Sequence, residues 1–281
     1  MQAEVTFAPA SSLSLDALGD IFTRSFEGYF YPGTTTAAVL AARARIESLD
    51  LHHSLVMLAG GEPAGVALLG LRGDRAWCGG FGVTPPFRGR GLAHRLAAAL
   101  LDRAREVRAR RLTLEVLTRN APAIKAYARA GLAIARDLRI MEWRGPDAPA
   151  GGEIDQPAAA ARADTPGRLL EHFAALHPAP AAWQRDLPSL LVRGKLDGLA
   201  LDRAGRPAAY ALLATAGDGG LRIEDLGAER AEDAAALLGA LQRRAARIIS
   251  VNEPADSPLM PAFETAGFAE IDRQHEMVVD L

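Results

Sequence analysis

Short apolar runs and amphipathic stretches alternate along the first half of the chain. Val5-Thr6-Phe7 opens a strand, and apolar residues spaced three and four apart predict helices over Leu15–Phe26 and Thr35–Leu49. Apolar-rich runs over Leu55–Ala59, Ala64–Leu71 and Ala76–Val83 read as strands. Leu92, Leu96, Leu100, Leu101, Ala104 and Val107 then form one stripe of a helix whose other face is mostly arginine. A strand over Arg111–Leu117, a helix over Asn120–Ala130 and a strand or strand pair over Ala133–Trp143 complete the series. Asn120 suits a helix start and Gly131 a helix stop.

Gly145-Pro146-Asp147-Ala148-Pro149-Ala150-Gly151-Gly152 has no apolar period and reads as a boundary. A chain of 281 residues exceeds the usual size of one domain, so two are expected: 1–146, a linker at 147–157, and 158–281. The second half repeats the first. Gly61-Glu62-Pro63-Ala64-Gly65-Val66-Ala67-Leu68-Leu69 recurs 144 positions on as Gly205-Arg206-Pro207-Ala208-Ala209-Tyr210-Ala211-Leu212-Leu213. Ala126-Tyr127-x-x-Ala130-Gly131-Leu132 recurs only 136 positions on, as Ala262-Phe263-x-x-Ala266-Gly267-Phe268, so residues were lost in between.

The loop Phe81-Gly82-Val83-Thr84-Pro85-Pro86-Phe87-Arg88-Gly89-Arg90-Gly91-Leu92-Ala93 joins a glycine-broken strand to the arginine-faced helix. Gly89 and Gly91 can adopt conformations that turn successive N–H groups into one concavity, and the helix start adds its partial positive charge. Arg88 and Arg90 flank this anion site, while Ala93 leaves room for a diphosphate. The loop lacks the Gly-Lys-Ser/Thr ending of a P-loop and the three-glycine dinucleotide fingerprint, which argues against nucleotide hydrolysis and nicotinamide binding. Its counterpart in the second half, Leu226–Asp233, is shortened and carries Glu229, Glu232 and Asp233, which would repel a diphosphate.

Arg88-x-x-Gly91-x-Ala93, following a strand that ends at Val83, resembles the acetyl-coenzyme A signature of the GNAT superfamily of N-acetyltransferases. Asn120-x-x-Ala123-Ile124-x-x-Tyr127-x-x-x-Gly131-Leu132 resembles the second coenzyme A motif of the same family, with Leu132 where the family usually has Phe. The resemblance covers nearly the whole chain. It implies an α/β (α+β) fold of two GNAT-like domains in tandem, each a mixed, splayed central sheet flanked by helices, the C-terminal one degenerate. It also implies acetyl-CoA as acyl donor, held by Phe81, Gly82, Val83, Arg88, Gly89, Arg90, Gly91, Leu92, Ala93 and Asn120. Phe81 and Val83 would act through their backbone where Gly79, Gly80 and Gly82 interrupt the strand.

Tyr127 aligns with the family tyrosine that protonates the departing thiolate; its alternative is packing of helix on sheet. Phe263 has the ring without the hydroxyl. Glu115, on the opposite side of its strand from Leu114 and Val116, is a candidate base or a salt-bridged surface residue. His52 and His53 sit at a loop-to-strand junction where solvent exposure is the ordinary outcome. His94 and His275 have no metal-ligand companions, so no metal is expected. Cys78 reads as a small buried strand residue rather than an acyl carrier. The cluster Phe26-Glu27-x-Tyr29-Phe30-Tyr31 is either packing or the wall of an acceptor site, with Phe26, Tyr29 and Tyr31 as apolar sides and Glu27 to hold a cationic amine.

A net charge of −2 gives no reason to expect nucleic acid or an anionic membrane as partner. The single cysteine excludes an internal disulfide. Absence of an apolar run of about 20 residues and of a basic segment with an apolar core points to the cytoplasm. The expected activity is transfer of an acetyl group to the primary amine of a small-molecule acceptor, by direct attack in a ternary complex, in a monomer or homodimer. The rival readings are a noncatalytic acyl-coenzyme A sensor and a protein or peptide N-acetyltransferase.

Overall fold

The computed structural model describes residues 4–31, 33–145 and 161–281, so the linker expected at 147–157 lies outside the described residues. The chain packs as two compact units, residues 1–135 with 275–281, and residues 136–274.

In the first unit the elements follow the sequence pattern: β1 (Val5–Pro9), α1 (Leu15–Ser25), α2 (Ala37–Ile46), β2 (Leu55–Ala59), β3 (Glu62–Arg72), β4 (Arg75–Val83), α3 (Leu92–Glu106), β5 (Arg111–Leu117), α4 (Ala121–Arg129) and the start of β6 (Ala133–Arg144). Helix starts are fixed by side chains that accept an orphan N–H: Ser14 from Ala17, Thr36 from Val39 and Asn120 from Ala123. The second helix stops at Ile46 rather than Leu49 because Ser48 turns into a left-handed conformation (φ 57°). Strands β1 to β4 pair antiparallel in sequence order, and β4 pairs parallel with β5. Leu55, Met57, Leu69, Leu96, Leu100, Leu112 and Tyr127 bury the core between this sheet and helices α3 and α4. Burial of one such leucine contributes about 1.5–3 kcal/mol. The chain's last residues close the same core, through Met277, Val279 and Leu281.

The second unit holds β7 (Ala161–Asp164), α5 (Pro166–Leu170), α6 (Phe173–Leu176), α7 (Leu187–Val192), β8 (Asp197–Arg203), β9 (Arg206–Thr215), β10 (Leu221–Ala228), α8 (Ala231–Gln242), β11 (Arg247–Pro254), α9 (Met260–Thr265) and most of β12 (Ala269–Asp280). Its backbone repeats the first unit down to the irregularities. Ala64 bulges out of the β2–β3 ladder, and Ala208, 144 positions on, bulges out of β8–β9. Gly79 bulges from β4 opposite Leu68 and Leu69, and Glu224 bulges from β10 opposite Leu212 and Leu213. Thr84 donates to the Ala64 carbonyl at 2.9 Å and Glu229 to that of Ala208 at 2.9 Å. Bulges are specific local devices, so their coincidence marks a duplication.

The parallel pairs of both units come apart after three rungs, and past that point the side chains of the two units differ. Strand β10 pairs with β11 only over Leu221–Ile223. Beyond that point buried charges fill the second unit. Asp225 accepts from the Tyr210 hydroxyl (2.6 Å) and meets His177 Nε2 (3.0 Å). Arg185 pairs with Glu253 and donates to Ser250 Oγ (3.1 Å) and the Val251 carbonyl (3.2 Å). His177 Nδ1 faces the Phe173 carbonyl at 2.8 Å, so both ring nitrogens meet acceptors, which favours the protonated ring. Helix α8 starts at Ala231, directly after β10, with Glu232 and Asp233 in its first turn. Asp233 is held by Arg203 and Arg230.

Candidate functional site

In the first unit β4 and β5 pair over three rungs, ending at Trp77 and Thr113. The bulge at Gly79 comes directly after, and the Arg43 guanidinium of α2 holds the Gly79 carbonyl. Beyond the bulge the strand is thin for a steric reason. A Cβ on Gly80 would lie 2.4 Å from the Phe22 ring, and one on Gly82 2.8 Å from Ser25, so glycine lets α1 press against the strand. Past the last rung the β5-facing side of β4 has no ladder partner among the described residues, which leaves main-chain groups of Gly80–Val83, other than the Val83 carbonyl held by Arg88, available to an extended ligand.

After a single 3-10 turn over Pro85–Phe87, the chain enters the loop that leads to α3. Gly89 and Gly91 both have positive φ, 74° and 77°, as the loop reading requires. The N–H groups of Gly89, Arg90 and Gly91 meet no hydrogen-bond acceptor among the described residues, and no side chain caps α3 at Gly91. Leu92 is buried and fixes the helix on the core, while Gly89, Arg90 and Gly91 are exposed and Ala93 is half-buried. The first turn of a 15-residue helix thus presents free amides with its positive dipole end. These residues fit the diphosphate of a coenzyme A.

Arg88 and Arg90 are turned elsewhere. The Arg88 guanidinium donates to the carbonyls of Val83 (2.8 Å), Glu27 (2.8 Å) and Ser25 (3.2 Å), and that of Arg90 lies over the Phe87 ring at 5.5 Å. The Arg88 N–H is also taken, by the Pro85 carbonyl. Asn120 caps α4 through its side chain.

Tyr127 projects from α4, buried, with its ring edge to face against Phe81 at 5.2 Å. Burial pushes its phenol well above the ordinary tyrosine range, with Cys78 and Tyr29 pushing the same way, so it is a neutral proton donor throughout the physiological range. Burial, reinforced by Glu115, pushes the Cys78 thiol up to about 12. That leaves it without thiolate and removes its claim as a nucleophile. Glu115 is half-buried between fully buried Leu114 and Val116 and accepts from the Trp77 indole at 2.8 Å.

The aromatic segment continues from α1 as a chain of rings: Phe22 stacks on Phe26 (4.5 Å), Phe26 meets Tyr29 edge on (5.3 Å), and Tyr29 meets Phe30 (5.3 Å). Phe26 and Tyr29 are half-buried, whereas Glu27, Phe30 and Tyr31 are exposed. Arg119, one residue before the α4 cap, lies over Phe30 at 4.5 Å and Tyr31 at 5.6 Å. His53 pairs with Asp50 (2.8 Å) in the turn before β2, and His94 is exposed. Among the described residues no group of three metal-ligating side chains comes together, and no helix is long and apolar enough to cross a membrane. Sequence reasoning missed Trp77, Arg43 and Arg119, whose roles depend on partners 36 to 89 residues away with no local signature.

Residues 15–132 match the acetyltransferase (GNAT) family. A GCN5-related N-acetyltransferase from Sphaerobacter thermophilus superimposes with a TM-score of 0.70 at 18% identity, covering 98% of this chain and 95% of that one. A tandem GNAT protein from the clavulanic acid biosynthesis pathway gives 0.67 at 16% identity, covering 99% and 98%. A GCN5-related N-acetyltransferase from Anabaena variabilis gives 0.66 at 16%, covering 98% and 72%. None of the curated proteins matches the chain. Residues 15–132 are similar to the GNAT acetyltransferase domain, and the fold of nearly the whole chain is that of GNAT proteins, a tandem one among them.

Proposed function

We propose that the first unit transfers the acetyl group of acetyl-CoA to the primary amine of a small-molecule acceptor, by direct attack within a ternary complex. The observation that carries this reading is the run of unpaired N–H groups at Gly89, Arg90 and Gly91, set at the start of α3 where β4 has left β5. The diphosphate lies on those amides, and the rest of the donor runs along Gly80–Val83 with its thioester carbonyl taking a strand N–H. The amine nitrogen forms a bond to the acyl carbon as the carbon–sulfur bond breaks, and the Tyr127 hydroxyl supplies the proton that the departing sulfur takes. Glu115, which accepts from the Trp77 indole, is the base of this reading and receives the proton released by the attacking amine, directly or through water.

Only one such site is proposed per chain. In the second unit Asp225 stands one residue past the bulge, as Gly80 does in the first, and acidic side chains occupy the start of α8. Phe263, fully buried, holds the position of Tyr127 without a hydroxyl. Release of free thiol from acetyl-CoA, monitored while a panel of primary amines is added, tests the reading. Amine-dependent turnover supports it. Tight coenzyme A binding with no turnover on any amine or peptide N-terminus would favour an acyl-coenzyme A sensor instead.

A further inference from the structure

The acceptor segment after α1 is pinned from both sides of the strand opening. Helix α1 ends at Ser25, where its last carbonyls have no partner within the helix and the dipole is negative. Into that end reaches Arg88, from the loop that follows β4, with donors on Ser25 O (3.2 Å), Glu27 O (2.8 Å) and Val83 O (2.8 Å). One planar guanidinium therefore ties the end of β4, the start of the phosphate loop and the turn that carries the aromatic cluster. Gly28 comes next at φ 73° in a turn closed by the Tyr29 N–H on the Phe26 carbonyl (3.0 Å), and a Cβ there would lie 3.9 Å from the same guanidinium. At the far end of the segment Arg119, next to the Asn120 cap of α4, covers Phe30 and Tyr31.

The two arginines thus grip the segment from the two coenzyme-binding stretches, one at each. We propose that Arg88 and Arg119 are positioning residues that lock the Phe26–Tyr31 acceptor segment to the coenzyme A loops, so that the amine is held in register with the thioester. The proposal rests on the acyltransferase reading above. It assigns the Arg88 side chain to the acceptor rather than to the diphosphate: its fork satisfies main-chain carbonyls and is turned from the amides of Gly89–Gly91. Arg119 supplies the second hold as a cation over aromatic faces, a contact that lysine can replace only in part.

The test uses the full chain and the variants Arg88→Ala, Arg88→Lys and Arg119→Ala, with coenzyme A affinity measured by calorimetry. KM and kcat are measured for acetyl-CoA and for the amine of the panel that turns over fastest. In Arg88→Ala the amine KM should rise about 10- to 100-fold, the factor that one or two lost charge-assisted hydrogen bonds correspond to. Coenzyme A affinity should stay within about threefold, and Arg88→Lys should recover part of the loss because one donor still reaches a carbonyl. Arg119→Ala should raise the same KM, by a factor nearer about 3 to 10. Hydrogen exchange supplies a readout that needs no amine: the Phe26–Tyr31 amides should exchange faster in both alanine variants. Unchanged exchange overturns the proposal. So does an Arg88→Ala variant that loses coenzyme A affinity more than tenfold while the amine KM is unchanged, since the side chain would then belong to the diphosphate. If the unaltered chain bound no coenzyme A, the acyltransferase reading itself would fall, which is a separate result.

Discussion

The ring of Phe81, on the open stretch of β4, meets that of Tyr127 edge to face, with centroids 5.2 Å apart and planes at 72°. This contact fixes the phenol against the strand stretch that receives the thioester in the proposed reaction. Removing only the hydroxyl keeps the ring pair. Tyr127→Phe is therefore expected to lower turnover by roughly 10²–10⁴-fold, the range for a positioned general acid, while coenzyme A affinity and melting temperature change little. Wild-type turnover in the variant, with chemistry rate-limiting, would leave Tyr127 a packing residue and water as the acid.

The thiol of Cys78 should be silent in the folded protein. It is buried and its pKa is pushed up to about 12, so at pH 8 there is neither thiolate nor access. A chromogenic disulfide reagent should find no thiol in the native chain and one per chain in denaturant. Rapid native reaction would contradict the burial.

The C-terminal tail should be needed by the N-terminal unit. Met277 is buried in that unit's core, Asp280 pairs with Arg111 at 2.8 Å, and the Leu281 N–H donates to Arg110 O at 2.9 Å. Residues 1–147 expressed alone lack all three. Such a fragment should be poorly soluble or inactive, and Met277→Ala in the full chain should destabilise the unit by about 2–5 kcal/mol. A monomeric, stable, fully active fragment would show that the tail is dispensable.

The second unit should lose stability as pH rises. Burial by itself would lower the His177 pKa, but the hydrogen bond and charge of Asp225, with the Phe173 carbonyl, outweigh it and the net shift is upward. A folded-state pKa above the ordinary value of about 6.5 means that the contribution is fully present below that pH and is lost as pH climbs through the raised value. Denaturant unfolding of this unit, measured from pH 5.5 to 8.5 in roughly half-unit steps, should show the decline, and His177→Phe should flatten it. A rise in stability over the same range would contradict the imidazolium.

Local chemistry made much of this legible beforehand. Gly89 and Gly91, two glycines around an arginine at a helix start, take the positive φ that their spacing suggests. Asn120 caps the helix it was expected to open, and the repeat of Gly61–Leu69 in Gly205–Leu213 reappears as matched bulges at Ala64 and Ala208. What the sequence hid is tertiary. Nothing local in residues 269–281 says that Met277, Val279 and Leu281 join the core of the first unit. In an arginine-rich chain, no local feature separates Arg88, which grips carbonyls 61 and 63 residues away, from an arginine aimed at phosphate. The buried pairs of Arg185 and His177 are hidden for the same reason, since their carboxylates come from distant strands.

Calorimetric titration of the full chain with coenzyme A tests the central claim most directly. One site per chain is predicted, because free amides occur at Gly89–Gly91 while the second unit carries Asp225 and an acidic helix start instead. Ala93→Glu should abolish that site: a carboxylate in the first turn favours the helix, so the fold is kept, but it competes for the amides and repels the diphosphate. Two comparable sites, or a single site untouched by Ala93→Glu, would contradict the account.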